Sequence, residues 1–190
     1  MASPIAHTLG AYAVLVTIEP RLASRRLNGI ALGTAFVFGN LADADFVVEQ
    51  FISSPIWKHH YFSHSIFFGI LVGIVTYLVL KIARRKNAFR DAGLVCAAYC
   101  SHLLIDYFTD DGSKPYGIPL LLPFTQEHFI SPLPIFYSIH RGELSDLFSM
   151  HNLMAVLIEL AVMGVIAYLA FFLARMRLDA QANALEHKNV

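Results

Sequence analysis

The sequence predicts an all-α fold, a polytopic membrane bundle of about five helices with a Pro-rich extracytoplasmic loop. Three observations carry that expectation. Of 190 residues, 56% are hydrophobic and 15% charged, with a mean hydropathy of +0.56, which is too apolar for an ordinary soluble domain. The apolar residues gather into five runs with polar connections between them. Lysine and arginine then concentrate in alternate connections, as they do on the cytoplasmic side of inner-membrane bundles.

The runs are Ile5 to Ile18, Leu27 to Ala42, Tyr61 to Leu80, Ala92 to Tyr107 and Leu153 to Ala174. The third and fifth come near the ~20 residues that a ~30 Å hydrocarbon core requires, whereas the other three are shorter and must tilt, thin the bilayer or sit partly inside protein. Arg21, Arg25 and Arg26 follow the first run, Lys81, Arg84, Arg85, Lys86 and Arg90 separate the third from the fourth, and Arg175 and Arg177 follow the fifth. Placing these clusters in the cytoplasm puts the N-terminus, the 46–58 connection and the 109–149 segment on the opposite face. Met1 to Ala6 has no basic residue and no small-residue cleavage site follows the first run, so a removable signal peptide is not expected.

Between the fourth and fifth runs, Pro115, Pro119, Pro123, Pro132 and Pro134 rule out a long regular helix and predict an interfacial cover or substrate-binding loop over 109–149. Trp57, Tyr61, Tyr107, Tyr116 and Tyr137 suit an interfacial aromatic belt. Residues 178–190 form a polar cytoplasmic tail, and the chain reads as a single integral-membrane domain over 1–190. Fourteen basic and fourteen acidic residues cancel, so nothing argues for nucleic acid as a partner. Cys96 and Cys100, four apart in an apolar run, read as small packing residues.

The chemistry-bearing residues fall at one end of these runs. His7 begins the first, Asp43 and Asp45 end the second, His59 and His64 open the third, and His102 and Asp106 end the fourth. His102 and Asp106 are four apart and share a helical face, which fits either a metal grip or a polar contact between helices. Asp43 and Asp45 cannot share a helical face, so a helix is expected to end between them, leaving one carboxylate to bridge metals and the other to orient or accept protons. Either could equally be a solvated end residue. Of the adjacent His59 and His60 only one is expected to ligate, and helical spacing favours His60 as partner to His64.

Imidazole and carboxylate together suit zinc, and a cation compensates acids that would be costly near lipid. The set exceeds one tetrahedral ion, so about two zinc ions are expected, with another divalent metal as the alternative. A metal-activated hydroxide at neutral pH would make the site hydrolytic. Glu159, inside the fifth run, is either an outer group of the cluster or a hydrogen-bonded packing residue. His128, His140 and His151, in or beside the loop, read as surface residues, and Asp110 and Asp111 before Gly112 as a turn.

At these residues the sequence resembles the bacterial inner-membrane metal-dependent hydrolase family whose members include an SOS-regulated, LexA-associated protein. The resemblance runs from about Ala6 to Phe124. It rests on an early His, here His7; a P-D-x-D motif, here A-D-A-D with Asp43 and Asp45; and H-R-G-x-T-H-S, here H-H-Y-F-S-H-S with His59 and His64. It continues through H-x-x-x-D-x-x-T-x-x-G, here His102, Asp106, Thr109 and Gly112, and G-x-P-L-L-x-P, here Gly117 to Pro123. Ala42 replaces the proline, and His60 and Tyr61 stand where the family has Arg and Gly, so an anion-clamping role of that arginine would pass to His60 or Lys58. The order of ligands is more remotely similar to the zinc-dependent phospholipase C and single-strand nuclease group, which implies a multi-zinc cluster cleaving phosphodiesters.

These readings converge on a membrane-embedded, metal-dependent hydrolase acting on a lipid or phosphodiester at the non-cytoplasmic face of the inner membrane. His7, Asp43, Asp45, His59, His64, His102 and Asp106 are the expected ligands, Asp43, Asp45 and His60 the expected catalytic groups, and membrane lipids the expected partners. The alternatives are a metal carrier or sensor, and a catalytically inactive scaffold.

Overall fold

The computed structural model describes residues 1–52, 61–112, 114–140 and 145–186, and among them the regular structure is helical. Six α-helices follow in order: α1 (Pro4–Ile18), α2 (Asn28–Gly39), α3 (Ala44–Phe51), α4 (Ile66–Ile82), α5 (Ala88–Tyr107) and α6 (Met150–Glu186). The five apolar runs correspond to α1, α2, α4, α5 and α6. The short α3 is an addition that follows Asp43.

Local chemistry sets the boundaries. Ser3 caps α1, its hydroxyl accepting from the Ala6 amide, with Pro4 in the first turn where a missing N–H costs nothing. Asn40 ends α2 by donating its side-chain amide to the Phe36 carbonyl at 2.8 Å and to Thr8 Oγ1 at 3.0 Å, which also fastens α2 to α1. Ser65 caps α4 by accepting from the Phe68 amide at 3.2 Å. The helix expected to end between Asp43 and Asp45 ends earlier, at Gly39. Asp43 instead precedes α3, and Asp45 lies in its first turn.

α1 is central, packing on α2, α5 and α6, while α4 packs on α5. Small residues let these helices approach. A Cβ on Gly39 would stand 2.8 Å from the Ala11 Cβ and 2.9 Å from the His7 carbonyl oxygen, and one on Gly69 or Gly73 would stand 3.0 Å from Cys100 Sγ or Cys96 Cβ. Both cysteines are free thiols in packing positions, as their spacing predicts. Large apolar side chains point outward instead, among them Ile70, Ile74, Leu78, Leu153, Leu157 and Leu169, the pattern of a lipid-facing surface. α6 is long and apolar enough to cross a membrane; α1, α2 and α4 are apolar but shorter, at 15, 12 and 17 residues.

The basic end is held together across elements. Arg90 at the start of α5 reaches Glu19 at 3.2 Å, just past the end of α1, and Arg177 of α6 donates to the Thr17 carbonyl. The opposite end therefore gathers the start of α1, the end of α2, the start of α4 and the end of α5.

The Pro-rich segment folds back against that end. The Ile66 amide donates to the Leu120 carbonyl at 3.0 Å, Ile118 pairs with Phe129, and Thr109 pairs with Phe136. Ile118 is buried with Ala42, Tyr99 and Leu103, so the G-I-P-L-L-L-P motif packs beside the A-D-A-D motif. Gly117 is required there. Its φ is +87°, and a Cβ would lie 2.4 Å from the Phe129 carbonyl oxygen. The polar tail is helical to Glu186, because D-A-Q-A-N-A-L-E is rich in helix formers.

Candidate metal centre

Four elements deliver the donor atoms. His7 lies one turn into α1, Asp43 stands between α2 and α3, His64 sits in a 3-10 turn just before α4, and His102 and Asp106 stack four apart near the end of α5. The three imidazoles are fully buried, and Asp106 is nearly so.

His102 Nε2 lies 3.1 Å from Asp106 Oδ2, 3.3 Å from His64 Nε2 and 3.6 Å from Asp43 Oδ1. His64 Nε2 in turn lies 3.5 Å from Asp106 Oδ2 and 3.6 Å from Asp43 Oδ1. His64, His102 and Asp106 thus form one group of mutually close donors, and His7, Asp43 and His102 form a second that shares His102. A tetrahedron with bonds of about 2.0–2.1 Å, the usual lengths from zinc to imidazole and carboxylate, has edges of about 3.3–3.4 Å. The residues fit the ion.

The hydrogen-bond balance points the same way. Among the described residues, Asp43 Oδ1 and Asp106 Oδ2, both buried, accept no hydrogen bond, and neither ring nitrogen of His7 has a hydrogen-bond partner. Orphaned polar atoms at a buried locus are costly and call for a cation or water. His7 stacks on His102 with ring centroids 3.6 Å apart and brings Nε2 to 3.5 Å from Asp106 Oδ1. Asp106 thus faces His64 and His102 with one oxygen and His7 with the other.

The far side of each ring is fixed. His102 Nδ1 donates to the Gly39 carbonyl at 2.8 Å, which leaves Nε2 as the lone-pair nitrogen. His64 Nδ1 faces Asp45 Oδ2 at 3.2 Å and Ser63 Oγ at 3.0 Å. Ser63 donates to Asp45 at 2.5 Å, and the Tyr99 hydroxyl donates to the Ser63 carbonyl at 2.5 Å. Asp45 therefore stands behind His64, opposite the nitrogen that faces the other donors. The sequence places it among the ligands; the structure places it where an orienting carboxylate sits.

Asp43, outside the membrane-embedded helices, has a carboxyl that burial alone would push up. The close imidazole of His64, 3.6 Å away, and those of His102 and His7 outweigh burial and hold it below the ordinary carboxylate range. Its side chain is 17% exposed against 2% for Asp106, so the cluster opens on the Asp43 side.

His59 and His60, with Trp57 and Lys58, lie outside the described residues. His64 belongs to a 3-10 turn, so α-helical spacing does not relate it to His60. His140 and His151 stack on one another with centroids 3.9 Å apart, and His151 Nε2 meets the Ser138 carbonyl. Thr109 caps α5 by donating to the Ile105 carbonyl, and Asp111 accepts from the Gly117 amide, so both shape the loop. Ser63, Tyr99 and the Gly39 carbonyl are contributors that the sequence reading passed over. Ser63 had a signal, lying inside H-H-Y-F-S-H-S; a backbone carbonyl has none.

The YdjM inner membrane protein family model matches residues 1–178, a span that holds all five converging side chains and both orienting groups. No curated protein and no solved structure matches the chain. A membrane-type helical bundle and a family match over nearly its whole length agree, and the chain belongs to the YdjM inner membrane protein family.

Proposed function

We propose that the chain is an integral-membrane, metal-dependent hydrolase that acts on a lipid or phosphodiester at the non-cytoplasmic face of the inner membrane. One observation carries the reading: His64 Nε2, His102 Nε2 and Asp106 Oδ2 lie 3.1–3.5 Å from one another, with Asp43 Oδ1 3.6 Å from both nitrogens, and neither oxygen accepts a hydrogen bond among the described residues. His64, His102 and Asp106 would hold one zinc ion, and His7 and Asp43, with the shared His102, would hold a further ligand or ion. When bound, such an ion supplies Lewis acidity and a water acidified toward neutral pH.

The protein's own part is positioning. Gly39 and Asp45 fix the tautomers of His102 and His64, so that both rings present Nε2 without reorganisation. Asp43, the more open acid, is the proton acceptor at the mouth. Asp45, engaged by Ser63 and His64, orients rather than transfers. His60 keeps its expected place as a candidate for the substrate's anionic group.

The lipid class is favoured by the surroundings. Phe124, Leu133 and Phe148 are 87%, 79% and 88% exposed, and all lie in the segment that folds against the site's end of the bundle. Phe46, Val47 and Phe51 of the neighbouring α3 are also exposed. An apolar rim of this kind dips into a leaflet and brings the mouth to headgroup depth.

The test is turnover. Detergent-purified protein with zinc should release a phosphorylated headgroup from phospholipid in mixed micelles, and His102→Ala should abolish release. A zinc-loaded protein that turns over no phospholipid, phosphodiester or ester would overturn the proposal. Asp45→Asn is expected to leave binding detectable but about 10–100-fold weaker, the usual effect of losing an orienting partner, as read by zinc competition against a chelating dye.

A further inference from the structure

Glu159 has no part in the scheme above, yet it is fully buried about 14 Å along α6 from Met150, in the helix long and apolar enough to cross a membrane. A carboxylate at such a place is costly unless donors surround it. The donors come from residue 3. The Ser3 amide donates to Glu159 Oε1 at 2.8 Å, and the Ser3 hydroxyl donates to Oε2.

The segment so held is wedged against the metal centre. Ala2 donates its amide to Asp106 Oδ1 at 3.2 Å, and the Met1 carbonyl accepts from Ile139 of the loop at 3.0 Å. Ser3 caps α1, and its carbonyl accepts from the His7 amide at 3.2 Å, so the turn bearing His7 starts from the residue that Glu159 grips. Residues 1–3 are each 5% exposed or less. Both Asp106 and His7 therefore take their placement in part from a contact anchored on α6.

We propose that Glu159 is a positioning residue of the metal centre, acting through residues 2 and 3 and not by ligation. The inference rests on the metal-binding reading given above. It explains why an acid is kept inside a lipid-spanning helix, and it ties α6, which supplies none of the converging donors, to the site.

The experiment compares Glu159→Ala and Glu159→Gln with the unmutated full-length protein in detergent, by zinc competition titration and by amide exchange over Ser3 to His7 in zinc-free protein. Glutamine keeps an acceptor for the Ser3 amide and offers a donor to its hydroxyl, so it should bind zinc within about 3-fold of the unmutated chain, whereas alanine should weaken binding about 10–100-fold and speed exchange. Equal affinity in Glu159→Ala and the unmutated protein would overturn the proposal, and so would equal losses in both variants. Should Glu159→Ala fail to fold, Ser3→Ala carries the test, with a smaller loss expected and no loss overturning it. If the unmutated protein binds no zinc, the metal reading itself fails; the exchange measurement then decides the clamp, and unchanged protection in Glu159→Ala overturns it.

Discussion

Asp106→Ala is expected to lower zinc affinity by more than the roughly 100-fold that loss of an orienting partner costs, since this residue faces the other donors with both oxygens. Oδ2 lies 3.1 Å from His102 Nε2 and 3.5 Å from His64 Nε2, while Oδ1 lies 3.5 Å from His7 Nε2. Its removal takes one donor from the His64, His102 and Asp106 group and the nearest carboxylate oxygen from His7. The metal-free protein should lose about 1–3 kcal/mol of stability, because the substitution strands the buried Ala2 amide. Asp106→Asn sharpens the comparison. It preserves shape and can still accept from the Ala2 amide, yet offers a neutral amide where a charged ligand stood, so it too should bind zinc poorly. Competition titration measures the affinity, and gel filtration with thermal unfolding establishes the fold. Tight zinc binding by both variants would remove Asp106 from the centre.

Gly39→Ala is the second large effect, and it acts on the fold and the site together. The added Cβ would stand 2.8 Å from the Ala11 Cβ and 2.9 Å from the His7 carbonyl, closer than carbon atoms approach. One of those atoms is backbone, so α1 and α2 must separate, at the cost of about 1–3 kcal/mol that overpacking brings. The same residue's carbonyl accepts from His102 Nδ1 at 2.8 Å, so separation also frees the ring that sets one vertex. Lowered thermal stability and weaker zinc binding should appear together. Gly93→Ala, at a position where a Cβ meets nothing within 4 Å, should alter neither.

Much of this architecture was legible because it follows from period and solvent. Apolar runs gave the five main helices, and alternating basic connections put the metal-capable residues at one end, where the Arg90–Glu19 contact marks the other. The convergence of His7, Asp43, His64, His102 and Asp106 was readable on that ground alone. What was not readable depends on local caps and on tertiary contact. The second run ends at Gly39 because Asn40 takes the Phe36 carbonyl, a choice that hydropathy does not encode, and this early end makes Asp43 a donor and sends Asp45 behind His64. Glu159 stood out as a costly acid, but its partner is 156 positions away at Ser3, beyond any local pattern. The Pro-rich segment was expected to be an interfacial cover or substrate-binding loop; its packing against Ala42 and Tyr99 needed the fold.

X-ray absorption at the zinc edge of the zinc-loaded, detergent-purified protein tests the central claim most directly. The expected result is a first shell of nitrogen and oxygen at about 2.0–2.1 Å, with the outer scattering of imidazole rings and no sulfur. A shell containing sulfur near 2.3 Å, which would put zinc on Cys96 and Cys100, or a spectrum of hydrated ion without imidazole, would contradict it.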